Sequence, residues 1–218
     1  MYPRGKNWNL NGRSSKTRHI YKVFVFNFHG TSGITVIIDS SGFKITERGD
    51  LLSTKWKGKR KGWIKMHIAI DSRSMNVVSL TITDEHSSDS SQFMNVIDPI
   101  ASRTGRIYCD GAYDSRYNFN YIHDNNIEAV ILPGKNAATM ARGSPYRAKV
   151  VRRIRKIGME SWKNSVEYGK RWRVEIFFSA LKRAMGEVIR AKKLEYQIQE
   201  AVMKVYSYFL MRKNTVVR

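Results

Sequence analysis

Three acidic residues occupy positions suited to chemistry. Asp39 closes the β-branched apolar run ITVIID (34–39), and Asp110 closes RIYCD (106–110). Short apolar runs of this kind read as buried strands, each delivering a carboxylate at its end. In open α/β sheets, sites form at the carboxyl ends of strands, so the two acids converge if the strands lie side by side. The third acid, Glu175, lies in YGKRWRVEIFFSALKR (168–183). At 100° per residue, a helix there puts Lys182 and Tyr168 within about 20° of Glu175 and Arg171 within about 40°. Val174, Phe177, Leu181 and Met185 centre on a second stripe about 115° away, an ordinary core face. One acid, two cations and a phenol therefore meet at the border of a core. Taken alone, Arg171 and Glu175 also read as a plain i,i+4 ion pair on a solvated face. Three convergent carboxylates suit phosphodiester chemistry. Two divalent ions roughly 4 Å apart activate the nucleophile and neutralise the phosphate, and such hard ions take oxygen ligands.

The elements that must position these residues follow from hydrophobic periodicity. A polar, basic segment covers 1–32, with one possible short strand in VFVFNF (23–28). After the Asp39 strand comes a Gly- and Lys-rich loop. WIKMHIAID (63–71) then alternates and VVSLTIT (77–83) returns, a hairpin about the turn DSRSMN. Helices are expected over 89–101 and 117–126, with a strand in EAVILP (128–133) stopped by Pro133. From about 146 the pattern stays helical, in three pieces at 146–164, 168–188 and 195–212. The order is β, β-hairpin, α, β, α, β, then helices. Residues 33–212 read as one catalytic domain between the basic arm (1–32) and a basic tail (213–218).

Composition narrows the partner. Lys and Arg number 39 against 18 Asp and Glu, a formal net charge of +21. An excess of that size points to a polyanion. No run approaches the roughly 20 apolar residues needed to span a bilayer, and the N-terminus lacks a secretory apolar region. DNA or RNA is therefore favoured over a membrane, and the expected location is the cytoplasm, at the nucleoid. The single cysteine, Cys109, excludes an intrachain disulfide and a cysteine zinc cluster. It falls inside an expected strand, so it should be buried and inert.

The spacing Tyr168–x2–Arg171–x3–Glu175–x6–Lys182 resembles the Tyr-Arg-Glu-Lys signature of prokaryotic insertion-sequence transposases of the Asp-Asp-Glu type. IIDSSG (37–42) resembles the first-Asp segment of that family, KMHIAID (65–71) the following strand, CDGAYDS (109–115) the second-Asp segment and ILPGKNA (131–137) the strand and loop beyond it. The resemblance runs from about 34 to 210. It implies an RNase H-like (retroviral-integrase-like) α/β core: a mixed five-stranded sheet flanked by helices, with extra C-terminal helices. It implies DNA transposition, with cutting at transposon ends and joining of the freed 3′-OH to target DNA. Asp39, Asp110 and Glu175 would be catalytic and hold two Mg²⁺ ions, which Mn²⁺ can replace. Arg171 and Lys182 would contact DNA phosphates near the cleaved end, and Tyr168 would stack on or bond to DNA. A homodimer pairing two ends is expected by the same analogy. Family members usually carry a helical end-binding domain before the first Asp. Only 38 residues precede Asp39 here, without a clear helix-turn-helix, which reads as a truncated copy or a catalytic fragment. The alternatives are an RNase H-like nuclease that cuts without joining and a non-catalytic DNA-binding remnant.

Other residues carry weaker readings. The loop KWKGKRKGW (55–63) interleaves Trp56 with Lys55, Lys57, Lys59, Arg60 and Lys61, which suits phosphate contact with stacking on unpaired bases. RAKVVRRIRKIG (147–158) repeats the theme on a helix, with Val150, Val151, Ile154 and Ile157 inward and the cations outward. Asp114 is a candidate to support Asp110, with a helix N-cap as the plainer reading. His86 and Asp89, in DEHSSDSSQF (84–93), could orient a metal-bound water or line the site; a capped loop is the plainer reading. His67 reads as a structural histidine. Ser40 and Ser41 have no His–acid partner in the sequence pattern of a nucleophile triad.

Overall fold

A computed structural model describes residues 20–25, 33–45 and 62–215. Among these residues seven strands form one sheet: β1 (Ile20–Val25), β2 (Ile34–Ile45), β3 (Trp63–Asp71), β4 (Val77–Asp84), β5 (Thr104–Cys109), β6 (Glu128–Ile131) and β7 (Val188–Ile189). Their spatial order is β1-β4-β3-β2-β5-β6, with β7 also paired to β2. β1, β4, β3 and β2 are joined antiparallel, whereas β5 runs parallel to β2 and β6 parallel to β5. The central β4-β3-β2-β5-β6 has the strand order and directions of an RNase H-like core. The five expected strands are these, and β1 and β7 enlarge the sheet to seven. Of the short strand expected at 23–28 in the basic arm, 23–25 belong to β1, which starts earlier at Ile20 and extends the sheet at β4, and 26–28 lie outside the described residues.

Helices cover both faces. α1 (Asp89–Ile97) and α2 (Arg116–Asp124) share a core with Val36, Ile38, Ile107 and Cys109. α4 (Met159–Ser165), α5 (Trp172–Met185) and α6 (Leu194–Thr215) share a second core with Ile37, Phe43, Met66 and Tyr108. Alternate residues of one strand point to opposite faces. Ile37 and Phe43 in one core and Ile38 in the other therefore put Asp39 on the α5 face and Ser40 on the α1 face.

Local chemistry sets the helix limits. The Ser88 side chain accepts from Ser91 N at the start of α1, and Ser115 accepts from Asn118 N at the start of α2. The latter corrects the capping role considered for Asp114. The helix expected over 146–164 is two, α3 (Pro145–Ile157) and α4, because Gly158 between them has φ 84°, outside the helical region. On α3 the inward residues are Ala148 and Val151, with Val150 and Ile154 half-buried; Ile157, expected inward, is exposed. The segment expected as helix over 168–188 is a 3₁₀ turn (Tyr168–Arg171), then α5, then β7.

Candidate active site

Asp39 lies within β2 and not at its end, because β3 pairs with β2 through to Lys44. The parallel partner β5 stops earlier: its last pair with β2 is Ile37 with Tyr108. Two residues further on each chain come Asp39 and Asp110, where β5 gives way to a 3₁₀ turn (Gly111–Tyr113). The sequence reading of adjacent strands that converge two acids is therefore met, with the opening set by where β5 departs. The Asp110 side chain accepts from Ala112 N (2.9 Å) and caps that turn. Asp39 accepts from Ser40 N (2.8 Å). Burial pushes the Asp39 carboxyl up to about 6; the Ser40 N–H opposes the rise, the nearby Asp110 charge adds to it, and Arg171 opposes it.

α5 is set against this pair by its preceding turn. The Tyr168 hydroxyl donates to the carbonyl of Cys109 (3.2 Å), the residue before Asp110, and its ring lies 5.8 Å from Trp162. Val174, Phe177, Phe178 and Leu181 are buried beneath α5, close to the stripe read from the sequence. Lys182 stands over the Phe43 ring (5.2 Å to its centre), so α5 runs along the face of β2 that bears Asp39. Arg171 is less exposed than Glu175, with side-chain exposures of 19% and 43%, and the two form an ion pair at 2.6 Å. The plain i,i+4 pairing is thus present, and Glu175 is turned to Arg171. Among the described residues, no three His, Cys, Asp or Glu side chains stand close enough together to hold a metal ion.

Asp39 and Asp110 nevertheless fit a hard divalent cation. They are neighbouring carboxylates, one of them half-buried and resisting ionisation, and only partly offset by Arg171. An open cleft of about 710 Å³ begins at Asp110 and passes Tyr168, Arg171 and Trp172 toward Lys163 and Lys170. Trp172 is 64% exposed there, beside cations that the signature spacing does not include.

The remaining candidates fall elsewhere. Asp114 receives both Nε and Nη2 of Arg147 (2.6 Å each) and the N–H of Gly134 (2.8 Å), so it holds the start of α3 and the loop after β6. His86 is exposed, 3.4 Å from Glu85. Lys55, Trp56, Lys57, Lys59, Arg60 and Lys61 lie outside the described residues. Cys109 is fully buried, and burial raises its thiol well above the usual range.

The residue whose place was not legible is Asp89. Its Oδ1 accepts from Ser40 Oγ (2.6 Å) and meets Lys65 Nζ (2.7 Å) and His67 Nδ1 (3.4 Å). Burial works to raise its carboxyl, but the neighbouring His67, Lys65 and Ser40 outweigh it and hold the group well below the carboxylate range. His67 is fully buried, its other nitrogen 2.9 Å from Thr83 Oγ1, and burial lowers its own ionisation, as suits a structural histidine. Asp89 lies 49 residues from Ser40, so no local pattern joins them.

Two carboxylates thus stand at the mouth between the parallel strands of an RNase H-like sheet, with a cation-bearing helix across it. The family model described as a transposase DDE domain matches residues 30–210, and the chain belongs to that family. Among solved structures, the chain is similar to one in a simian T-cell lymphotropic virus intasome in complex with PP2A regulatory subunit B56 gamma. That match has 12% identity, a TM-score of 0.33, and covers 67% of this chain and 50% of that one. The chain thus spans about half the length of the structure it matches.

Proposed function

We propose that this protein is the catalytic core of a DNA transposase that cuts at transposon ends and joins the freed 3′-OH to target DNA by metal-dependent phosphoryl transfer. The observation that carries the reading is the placing of Asp39 and Asp110 side by side where β5 leaves β2, with α5 tied to that point through Tyr168 and the Cys109 carbonyl. Asp39 and Asp110 would hold the ions, and Glu175 would join them once freed from Arg171. Two Mg²⁺ or Mn²⁺ ions, when bound, supply the charge that lowers the pKa of the attacking hydroxyl and stabilises the leaving oxygen.

The chain's own residues do the rest. In cleavage, water adds to the phosphorus and the P–O3′ bond breaks, leaving a 3′-OH. In joining, that hydroxyl adds to a target phosphorus, and the displaced 3′ oxygen of the target takes up a proton. Arg171 can take a DNA phosphate in place of the Glu175 carboxylate that it now meets at 2.6 Å. A DNA phosphate that takes Arg171 therefore releases Glu175 toward Asp39 and Asp110. Lys182 supplies a second phosphate contact further along α5. Two copies pair two ends.

The test is purified protein and its Glu175→Gln variant, each incubated with supercoiled DNA and Mg²⁺ or Mn²⁺. Metal-dependent nicked and joined products from the parent, lost in the variant with DNA binding retained, support the reading. Cutting without joining identifies a nuclease instead. Tight, salt-sensitive binding with no cutting by either protein identifies a DNA-holding remnant.

A further inference from the structure

Between its pairing with β5, which ends at Ile37, and with β7, which begins at Lys44, β2 has β3 as its one strand partner among the described residues, with α5 packed on the face that bears Asp39. Asp39 lies in this half-supported stretch. A carboxylate that binds a metal ion in a fixed geometry needs its backbone fixed as well. A side-chain tie adds to this support. On the opposite face, Ser40 Oγ donates a short, charge-assisted hydrogen bond to Asp89 Oδ1, at 2.6 Å. Asp89 is the first residue of α1, whose buried Phe93, Val96 and Ile97 anchor it in the other core. Lys65 and His67 of β3 converge on the same oxygen, and His67 is the register partner of Ser40. Ser40 in turn presents its own N–H to Asp39 Oδ1 at 2.8 Å. The chain of contacts runs from α1 through the sheet to the carboxylate on the far side.

We infer that Asp89 is a positioning residue for the active site: through Ser40 it fixes the backbone and carboxylate of Asp39 from the reverse face of the sheet, without touching metal or DNA. This rests on the reading of Asp39 as a metal ligand. Lys65, 2.7 Å from the same carboxylate oxygen, holds Asp89 in place. Ser40 is thereby given a role that needs no nucleophilic chemistry.

The experiment compares the parent protein with Asp89→Asn, Ser40→Ala, Ser40→Thr and the Asp89→Asn/Ser40→Ala double variant. Mn²⁺ affinity is read from the dependence of the thermal midpoint on Mn²⁺ concentration, and kcat and KM from nicking of supercoiled DNA. Asp89→Asn and Ser40→Ala should each weaken Mn²⁺ binding about tenfold, the lower end of what outer-shell partners of metal ligands contribute. They should lower kcat with the KM for DNA unchanged. The double variant should be no worse than the more impaired single one, because both remove one link. Ser40→Thr, which keeps the hydroxyl, should match the parent. If Asp89→Asn melts earlier yet binds Mn²⁺ and turns over like the parent, Asp89 is a fold anchor and the inference is overturned. Should Asp89→Asn not fold, the Ser40→Ala and Ser40→Thr pair decides, and equal Mn²⁺ affinity in those two overturns it. A parent that binds no Mn²⁺ overturns the metal-ligand reading itself, and the inference with it. That outcome is distinct from a parent that cuts while its variants cut equally well.

Discussion

At the residue scale, Asp39 carries a cost that its proposed role explains. Its carboxyl is raised to about 6 from an ordinary 3.8, so the folded chain binds the proton more tightly than the unfolded one. Such a group contributes stability that is fully present below the unfolded value and is lost as pH rises through the folded one. In metal-free buffer near neutral pH the ionised Asp39 therefore destabilises the protein. Asp39→Asn should raise the thermal midpoint there, by the equivalent of about 1–3 kcal/mol. The advantage should vanish below about pH 4, where the parent is protonated. Adding Mn²⁺ should reverse the order, since only the parent gains a ligand-bound state. Thermal melts of the two proteins across pH, with and without Mn²⁺, check both halves. An Asn variant no more stable than its parent at neutral pH would remove the strained-carboxylate account.

At the scale of elements, Tyr168 separates two accounts of the signature. The sequence reading gave it to DNA, by stacking or bonding. The structure uses its hydroxyl on the Cys109 carbonyl, which ties the turn before α5 to the end of β5. Tyr168→Phe keeps the ring and removes the hydroxyl's bond to Cys109, together with its hydrogen bond with Arg171, at about 1 kcal/mol of stability for each bond lost. If the tie matters, kcat falls while the KM for DNA holds; if stacking matters, the Phe variant behaves like the parent and Tyr168→Ala raises KM. Asp114 offers a stronger structural test. Asp114→Ala leaves the mostly buried Arg147 without its partner and Gly134 N–H without its acceptor, and should cost about 2–4 kcal/mol in denaturant unfolding. The same elements show what could be read in advance. The strands that carry Asp39 and Asp110 were legible because buried strands write continuous apolar runs, and the α5 core stripe because a helix repeats every 3.6 residues. Asp114 was not, since its partner Arg147 comes 33 residues later and belongs to another element. Asp89 was visible as a polar residue after a strand, but its bond to Ser40 exists only because α1 packs across the back of β2. The break at Gly158 was missed because a lone glycine inside a helical pattern does not by itself announce a positive φ.

At the scale of the whole molecule, charge dominates the encounter with DNA. The chain carries a formal +21, and α3 alone shows Lys149, Arg152, Arg153, Arg155 and Lys156 to solvent. Phosphate contacts release counterions, so the logarithm of the affinity should fall linearly with the logarithm of salt concentration, by about 0.9 per neutralised phosphate on duplex DNA. Lys149 and Lys156 are exposed on α3 and fall outside the signature spacing. Replacing each with Ala should therefore lower the slope by about one unit if it meets a phosphate, weaken binding to all duplex sequences alike, and leave the Mn²⁺ affinity unchanged. Lys182→Ala should lower the slope by a similar amount but also reduce kcat, because its place on α5 puts its phosphate contact on the Asp39 face of β2. Binding isotherms at several salt concentrations, set beside nicking rates for the same variants, separate the two kinds of cation. If Lys182→Ala weakens binding and leaves kcat intact, α5 serves as one more basic surface, and its alignment with Asp39 plays no part in catalysis.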